Sequence, residues 1–365
     1  MTKAFRLLSP PALWIVLLLA AGSAPILWWW LKVRSTHGWG QKTSSPASEW
    51  EFALASFALD RKPLVASGLP RDGIAPLTYP GMLQHPELSA LGKRFLLPQD
   101  PVLGVVLHGQ ARAYPLRVMA FHELANDLLG EEPILVVHQP LCGLSAVFSR
   151  RLAGQPRTFG HSGLLWNSCG LLYDRETQEL WLPINGQGLT GSARGLFLKI
   201  LPFALTTWQR WVDRYPQTTL LRPDLSRLPQ YRRDPYSSYA GSELLRFPVS
   251  PRLPQSVPTK APLWVFWPGT AKHAVVGIVG FPPQQGASVT FSLGQRRLSL
   301  SGVGRPLVWE LSAADGAPLP PTIHVYAFAW YALNPIEPPE NWSWLKAETF
   351  VGPDTRRQPS AHQLP

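Results

Sequence analysis

Cysteine is scarce in this chain, which has only Cys142 and Cys169 among its 365 residues. No cysteine comes directly after the apolar core of the N-terminal run, so the sequence excludes a lipoprotein anchor. Long helical patterns are also lacking, because 39 prolines and 29 glycines divide the chain into short elements. This composition rules out a long helical bundle.

Acidic residues are outnumbered, since 34 lysines and arginines accompany 23 aspartates and glutamates and leave a formal net charge of +11. The arginines are scattered, with one modest cluster at Arg222, Arg227, Arg232 and Arg233. No motif of a nucleic-acid reader accompanies them, so we expect no nucleic-acid partner. Contact with anionic phospholipid head groups would suit an anchored protein, but a basic surface without a specific partner explains the charge more simply.

The N-terminal run at residues 7–31 contains no charged side chain and is long enough to span a bilayer. Tryptophans at positions 28–30 precede Lys32 and suit the interfacial belt of a membrane. We therefore predict a single-pass anchor over residues 7–32 in the cytoplasmic membrane, with the membrane as a partner. A polar linker over residues 33–69 follows. The positive charges on both flanks leave the orientation open.

A cleaved signal peptide is the alternative to an anchor. Residues 22–24 are small and offer a cleavage site. However, Pro25 occupies the next position and a further apolar run follows it, and both features argue against cleavage.

Short runs rich in valine, isoleucine and aromatic residues recur between the breaks and are typical of strands. They are residues 102–107, 134–138, 146–148, 171–173, 263–267, 275–281, 289–293, 298–300, 307–311 and 323–330. Only residues 117–130 and 206–215 have the apolar periodicity of soluble helices. The sequence predicts a β-rich α+β class, with an N-terminal transmembrane helix and a domain that has few helices.

A weak internal repeat suggests two related β-units. Residues 103–114 align without gaps to residues 263–274, and each copy has the pattern strand, glycine turn, strand. We therefore predict a first unit over residues 70–250, a second unit over residues 251–352 and a tail over residues 353–365. Chance similarity between two hairpins is the alternative.

Most side chains suited to chemistry lie between positions 121 and 174. They are His122, Glu123, Asn126, Asp127, His138, Cys142, His161, Ser162, Cys169 and Asp174. A helix over residues 117–130 would place His122 and Asn126 one turn apart on one face. The same spacing would bring Glu123 and Asp127 together.

Four motifs occur in order along this part of the chain. They are His122-Glu123-Leu124-Ala125-Asn126-Asp127, Pro140-Leu141-Cys142-Gly143, Phe159-Gly160-His161-Ser162-Gly163-Leu164, and Tyr173-Asp174-Arg175-Glu176-Thr177 followed by Trp181. Together they resemble a bacterial family known as domain of unknown function 3179, over roughly residues 70–335. The resemblance specifies a family but no activity, and it favours a domain outside the cytoplasmic membrane.

The sequence departs from the family pattern at Gln139, where the family has the first cysteine of its loop. The Cys-x-x-Cys pair of a redox dithiol or a metal site is therefore incomplete, which puts in doubt any role that needs both sulfurs. A Cys142–Cys169 disulfide is a candidate replacement, worth about 3 kcal/mol on the loop-entropy estimate. Two separate buried thiols are an equal alternative.

His122 and Glu123 open like the His-Glu-x-x-His helix of zinc proteases, but Asn126 replaces the second histidine. His122 and Glu123 are candidates for a catalytic acid/base pair. A transition metal is a candidate cofactor, although it would need donors from elsewhere in the chain. The candidate metal ligands are His122, His138, Cys142 and His161.

Ser162 lies between glycines and is a candidate nucleophile. Leu164 occupies the position where a nucleophile elbow requires glycine, and a tight turn explains the glycines equally well. The candidate ligand-binding residues are Asn126, Asp127, Asp174 and Arg175. The structural alternatives are a clamp on the following loop for the first two, and a turn with a neighbouring ion pair for the last two.

Two functions remain open at this point. The first is an anchored extracytoplasmic module that binds a small ligand or a partner protein through the polar cluster. The second is an extracytoplasmic enzyme, metal-dependent or thiol-using, with His122, Glu123 and Cys142 at its site. The missing loop cysteine favours the first function, and a co-purifying metal would favour the second.

Overall fold

Branched and aromatic runs form β-strands throughout the part of the chain that the structure describes. The computed structural model describes residues 52–84, 87, 95–266, 275–278, 288–293, 296–313, 315–334 and 343–344. All of these belong to one unit, Ser45–Pro365. The predicted anchor and tail lie outside the described residues. No helix within the described ranges is long and apolar enough to cross a membrane.

The strands, in chain order, are β1 (Leu64–Ala66), β2 (Leu77–Thr78), β3 (Met82–Leu83), β4 (Pro101–Leu107), β5 (Gln110–Pro115), β6 (Leu124–Leu129), β7 (Glu132–Gln139), β8 (Leu144–Ser149), β9 (Arg151–Leu152), β10 (Gln155–Pro156), β11 (Phe159–Trp166), β12 (Cys169–Asp174), β13 (Leu180–Leu182), β14 (Gln187–Gly188), β15 (Ile200–Leu201), β16 (Ala204–Thr207), β17 (Thr219–Leu221), β18 (Pro262–Phe266), β19 (Val275–Ile278), β20 (Ser288–Leu293), β21 (Arg296–Val303), β22 (Val308–Ala313), β23 (Thr322–Tyr326) and β24 (Ser343–Trp344). Each predicted strand overlaps one of these.

Helices are few and short among the described residues. They are α1 (Leu116–His122), α2 (Trp208–Arg214), α3 (Leu228–Tyr231), α4 (Ser237–Ala240) and α5 (Ala327–Leu333), with single 3-10 turns at Leu54–Ser56, Gly191–Ala193 and Leu225–Arg227. The β-rich α+β class is therefore confirmed.

A nine-stranded sheet organises the fold, in the order β2-β6-β7-β8-β23-β18-β19-β24, with β15 also pairing with β8. Two five-stranded sheets have the orders β1-β11-β12-β13-β14 and β16-β4-β5-β17-β3, and smaller sheets are formed by β20-β21-β22 and β9-β10. Strand β8 therefore has neighbours from distant parts of the chain. This pairing sets the position of the candidate site.

The central sheet is buried on both faces around β7. Leu135 and Val137 enter one apolar core, which also contains β11 to β13. Ile134 and Val136 enter a second core, which contains β4 and β5. Alternate residues of a strand point to opposite faces, so a strand between two cores is apolar throughout.

The proposed repeat occurs in two different sheets. Its first copy forms the hairpin of β4 and β5. Its second copy begins with β18, which pairs antiparallel with β19, while the intervening turn lies outside the described residues. Strands β18 and β23 share the central sheet with β6 to β8. Both predicted units therefore contribute strands to one sheet. The division at residues 250 and 251 stays a prediction.

The predicted helix over residues 117–130 is wrong in its second half. Helix α1 ends at His122, Glu123 adopts a left-handed φ of +56°, and β6 begins at Leu124. The apolar spacing of residues 124–129 is compatible with either element, and antiparallel pairing with β7 selects the strand. Asn126 and Asp127 therefore point to opposite faces of a strand.

The other predicted helix is nearly correct. Residues 206–215 contain α2, which begins after Thr207, whose side chain accepts a hydrogen bond from the Arg210 N–H. The predicted strand over residues 323–330 ends early, because residues from Ala327 onward form α5.

Candidate functional site

The loop at residues 140–143 joins β7 to β8 and carries Cys142. Gly143 has a φ of +64°, and a Cβ atom at this position would lie 2.6 Å from the Tyr326 ring. Only glycine fits here, because both the backbone conformation and the ring exclude a side chain. The Cys142 carbonyl accepts a hydrogen bond from the Tyr326 N–H at 2.9 Å. The end of β23 thus holds the loop.

The two cysteines meet beneath this loop. Cys142 Sγ and Cys169 Sγ lie 3.1 Å apart, although their residues are 27 positions apart in sequence. Both residues are fully buried, and both are free thiols in this structure. Burial raises the pKa of the Cys169 thiol well above its usual value, and the neighbouring Cys142 and Glu123 add to this rise. The Cys169 thiol is therefore protonated at neutral pH.

Gln139 occupies the position of the missing loop cysteine, and its side chain lies next to both sulfurs. Its Oε1 accepts a hydrogen bond from Cys169 Sγ at 3.3 Å and lies 3.7 Å from Cys142 Sγ. Its Nε2 donates to the Gly170 carbonyl at 3.1 Å. The glutamine amide therefore links the loop to the start of β12.

Glu123 is buried where α1 meets β6. Its Oε1 accepts a hydrogen bond from the Tyr236 hydroxyl at 3.0 Å, and its Oε2 lies 3.9 Å from His161 Nδ1. Burial raises the pKa of this carboxyl to about 7, although the bond from Tyr236 opposes the rise. A carboxyl that titrates near neutral pH is suited to acid–base chemistry. Its left-handed backbone is an additional strained feature.

His122 is held by two hydrogen bonds. Its Nδ1 lies 2.8 Å from the Ala75 carbonyl, which can only accept, so Nδ1 carries the proton. Its Nε2 therefore accepts from the Tyr231 hydroxyl at 2.9 Å. Burial lowers the pKa of His122. The adjacent residues His122 and Glu123 thus each accept a hydrogen bond from a tyrosine.

The predicted metal ligands are not brought together. His161 Nε2 donates to the His122 carbonyl at 3.1 Å, and burial lowers the pKa of His161 to about 4. His138 faces the opposite side of the central sheet from Cys142. Among the described residues, no group of three or more histidine, cysteine or acidic side chains is arranged to hold a metal ion.

A cavity of about 400 Å³ lies on the second-core side of the same loop. Pro140 and Gly143 line it, and so do Tyr231 and Tyr236, the two tyrosines bonded to His122 and Glu123. Cys142 lies between Pro140 and Gly143 in sequence but does not itself line the cavity. The sequence did not reveal this cavity, because its wall combines short segments from distant parts of the chain.

A row of polar side chains crosses three neighbouring strands in this cavity. Ser145 on β8 is paired with His138 on β7 and with His324 on β23. His138 Nδ1 lies 2.9 Å from Ser145 Oγ, and His324 Nδ1 lies 2.9 Å from the Gly143 carbonyl. Burial lowers the pKa of His138 to about 3 and that of His324 to about 4, so both rings are neutral at neutral pH.

The family model described as "Protein of unknown function (DUF3179)" matches residues 71–278. The match covers more than half of the chain and includes all four motifs. The chain belongs to this family. The match ends before residue 335, where the motif resemblance ended. No match to this chain was found among curated proteins or among solved structures.

Two residues of the first DUF3179 motif have structural contacts. The Asn126 amide donates to the Phe159 carbonyl at 2.8 Å and accepts the Phe159 N–H at 2.7 Å, which joins β6 to β11. Asp127 accepts bonds from Arg112 at 2.7 Å and from the Tyr114 hydroxyl at 2.6 Å. These contacts give both side chains partners inside the fold, and their ligand-binding role stays a prediction.

The last DUF3179 motif builds a hairpin. Asp174 accepts bonds from the Thr177 N–H at 2.7 Å and from Trp181 Nε1 at 2.8 Å, as an Asx-type turn would predict. Arg175 forms an ion pair with Asp72 at 2.8 Å. Asp174 therefore stabilises the β12–β13 connection, and Arg175 links this connection to the segment that contains Asp72.

Ser162 of the DUF3179 motif bridges an irregularity in β11. Its hydroxyl donates to the Leu171 carbonyl at 2.7 Å and accepts the Leu164 N–H at 3.1 Å. The β11–β12 register shifts between His161 and Leu165. The hydroxyl is thus committed to backbone groups that the irregular pairing would leave unsatisfied.

Proposed function

We propose that this protein is a membrane-anchored extracytoplasmic module that binds a small ligand in the cavity beside the β7–β8 loop. One observation carries the proposal: residues of the family loop line the cavity together with the two tyrosines that hydrogen-bond His122 and Glu123. One family motif therefore lines the cavity, and a second motif is hydrogen-bonded to two residues of its wall.

The size and wall of the cavity support a small ligand. Its volume of about 400 Å³ falls in the range of pockets that take small molecules. Apolar and aromatic side chains form most of the wall, and a few polar groups converge at Ser145. Such a combination provides burial for the body of a ligand and hydrogen bonds that orient it.

The location follows from the N-terminal sequence. The uncharged run at residues 7–31, followed by tryptophans, supports a single-pass anchor in the cytoplasmic membrane. The family resemblance supports a domain outside that membrane. The proposal includes two β-units, at residues 70–250 and 251–352, supported by the similar pairing of β4 with β5 and of β18 with β19.

Ligand-observed NMR with a set of aromatic fragments tests the binding function on the full chain in lipid nanodiscs. The Ala240→Trp variant adds a ring at a position that lines the cavity. Gln217→Trp adds the same ring at an exposed turn away from it. We expect fragments that bind the native protein and Gln217→Trp but not Ala240→Trp. Equal binding to all three proteins, or binding to none, would contradict the proposal.

An enzyme is the second candidate function. The observation in its favour is Glu123, a buried carboxyl with a left-handed backbone and a pKa of about 7. In that enzyme His122 and Glu123 act as the acid/base pair, and Cys142 acts as a thiol or metal ligand. Elemental analysis of the purified full chain separates the candidates. A stoichiometric transition metal that is lost in Cys142→Ser would support the enzyme.

A further inference from the structure

The cavity contains a hydrogen-bond acceptor whose chemical state the geometry determines. His324 Nδ1 lies 2.9 Å from the Gly143 carbonyl, and a carbonyl can only accept, so Nδ1 carries the ring proton. The ring is neutral, so its Nε2 has a free lone pair. No described residue donates a hydrogen bond to this atom. A ligand in the cavity can therefore satisfy it with a hydroxyl or an N–H group.

The aromatic side chains of the wall offer the ligand an apolar surface. Tyr231 and Tyr236 line the cavity, and their hydroxyls hydrogen-bond His122 and Glu123. Trp309 lines the same cavity. Ring-to-ring contacts contribute roughly 0.5–1.5 kcal/mol beyond the area that they bury. This wall favours a ligand with a ring.

The rim of the cavity is cationic. Arg232 and Arg233 are exposed residues that line it, and within the described ranges neither forms an ion pair. Arg117 also lines the cavity but is neutralised by Asp100 at 2.6 Å. Asp234 is the one acidic residue among the lining side chains described. The rim therefore favours an anionic group on the ligand.

We propose that the ligand is an organic acid with a ring, which places its carboxylate at Arg232 and Arg233 and donates a hydrogen bond from its other end to His324 Nε2. This inference rests on the proposed binding function and adds the chemical class of the ligand. A ligand of this kind contacts the exposed guanidinium groups, the aromatic wall and the unpaired acceptor at the same time.

Isothermal titration calorimetry on the full chain in nanodiscs tests the class with three probes of one shape. These are 4-hydroxycinnamate, cinnamate, which lacks the donor, and methyl 4-hydroxycinnamate, which lacks the charge. We expect 4-hydroxycinnamate to bind about tenfold more tightly than either of the others, because each loses one polar interaction of the bound ligand.

Two variants assign the interactions to their residues. His324→Phe should abolish the preference for 4-hydroxycinnamate over cinnamate while retaining the preference for the acid over its ester. The double variant Arg232→Gln/Arg233→Gln should abolish the preference for the acid over its ester while retaining the preference for 4-hydroxycinnamate over cinnamate. Arg214→Gln, an exposed arginine outside the cavity, should change neither preference. His324→Gln retains an acceptor and should restore part of the first preference if His324→Phe folds poorly.

The outcomes separate this inference from the function on which it rests. If aromatic fragments still compete at the cavity but the three probes bind equally, the ligand class is wrong and the binding function stands. If neither fragments nor probes bind, the binding function itself is wrong. Unchanged preferences in His324→Phe would overturn the role of the histidine.

Discussion

Oxidation of Cys142 and Cys169 to a disulfide is expected to raise the free energy of unfolding by about 3.5 kcal/mol. The two sulfurs already lie 3.1 Å apart in the folded chain, so little movement is needed to bring them to bonding distance. The magnitude comes from the loop that the bond closes, which spans the 27 positions between the cysteines. A bond would restrict that loop in the unfolded chain. An oxidising compartment outside the cytoplasm would favour it.

Thermal unfolding of the full chain, with and without a thiol reductant, measures this effect. A loss of about 3.5 kcal/mol should lower the melting temperature by roughly 5–10 °C on reduction. The double variant Cys142→Ser/Cys169→Ser is the matched control, because reductant should leave its melting temperature unchanged.

Mass analysis of the protein, alkylated after unfolding without reductant, detects the bond directly. Alkylation of both cysteines under these conditions, in a chain produced outside the cytoplasm, would refute the disulfide. In that case Cys169 is an ordinary core residue, and the contact between the sulfurs is packing alone.

Three further predictions concern stability and location. The folded-state pKa of Glu123 is about 7, above the usual 4.5. Protonated Glu123 therefore adds about 3 kcal/mol to the free energy of unfolding below pH 4.5, and this contribution is lost as the pH rises from 4.5 through 7. Urea unfolding at pH 4.5 and pH 8 should show this loss in the native protein but not in Glu123→Gln, and equal losses would contradict it. Gly143→Ala should lower the free energy of unfolding by roughly 1–3 kcal/mol, since its Cβ would lie 2.6 Å from the Tyr326 ring. Gly154→Ala is the control, because Gly154 also has a positive φ but nothing lies within 4 Å of the added Cβ, so this variant measures the cost of the backbone conformation alone. The mature chain should sediment with membranes and retain residues 1–32, and a soluble protein that begins near Pro25 would disprove the anchor.

Local composition was sufficient to predict most strands, for example those at residues 102–107 and 134–138. Each is a run of branched apolar residues between turn residues, and such a run forms a strand wherever a partner is available. The apolar pattern of residues 124–129 was ambiguous, because it fits a helix as well as a strand. The left-handed Glu123 ends the helix, and pairing with β7 selects the strand.

The candidate residues were found by type and by motif, but their roles depend on contacts that the motifs do not contain. Asn126 and Asp127 are polar and close to His122 in sequence, yet their partners are Phe159 and Arg112, which belong to other strands. A polar residue in a motif can bind a ligand or satisfy the fold, and only the identity of its partners distinguishes these roles.

The sequence by itself determined the β-rich class, the family and the loop that carries Cys142, because these depend on residue types and their spacing along the chain. Only the tertiary structure decided that His138 and His324 share one cavity and that Tyr231 and Tyr236 bond the His122-Glu123 motif. The physical reason is the pairing of β8 with both β7 and β23, together with packing across the central sheet. These long-range contacts join residues whose separation in sequence carries no local signal.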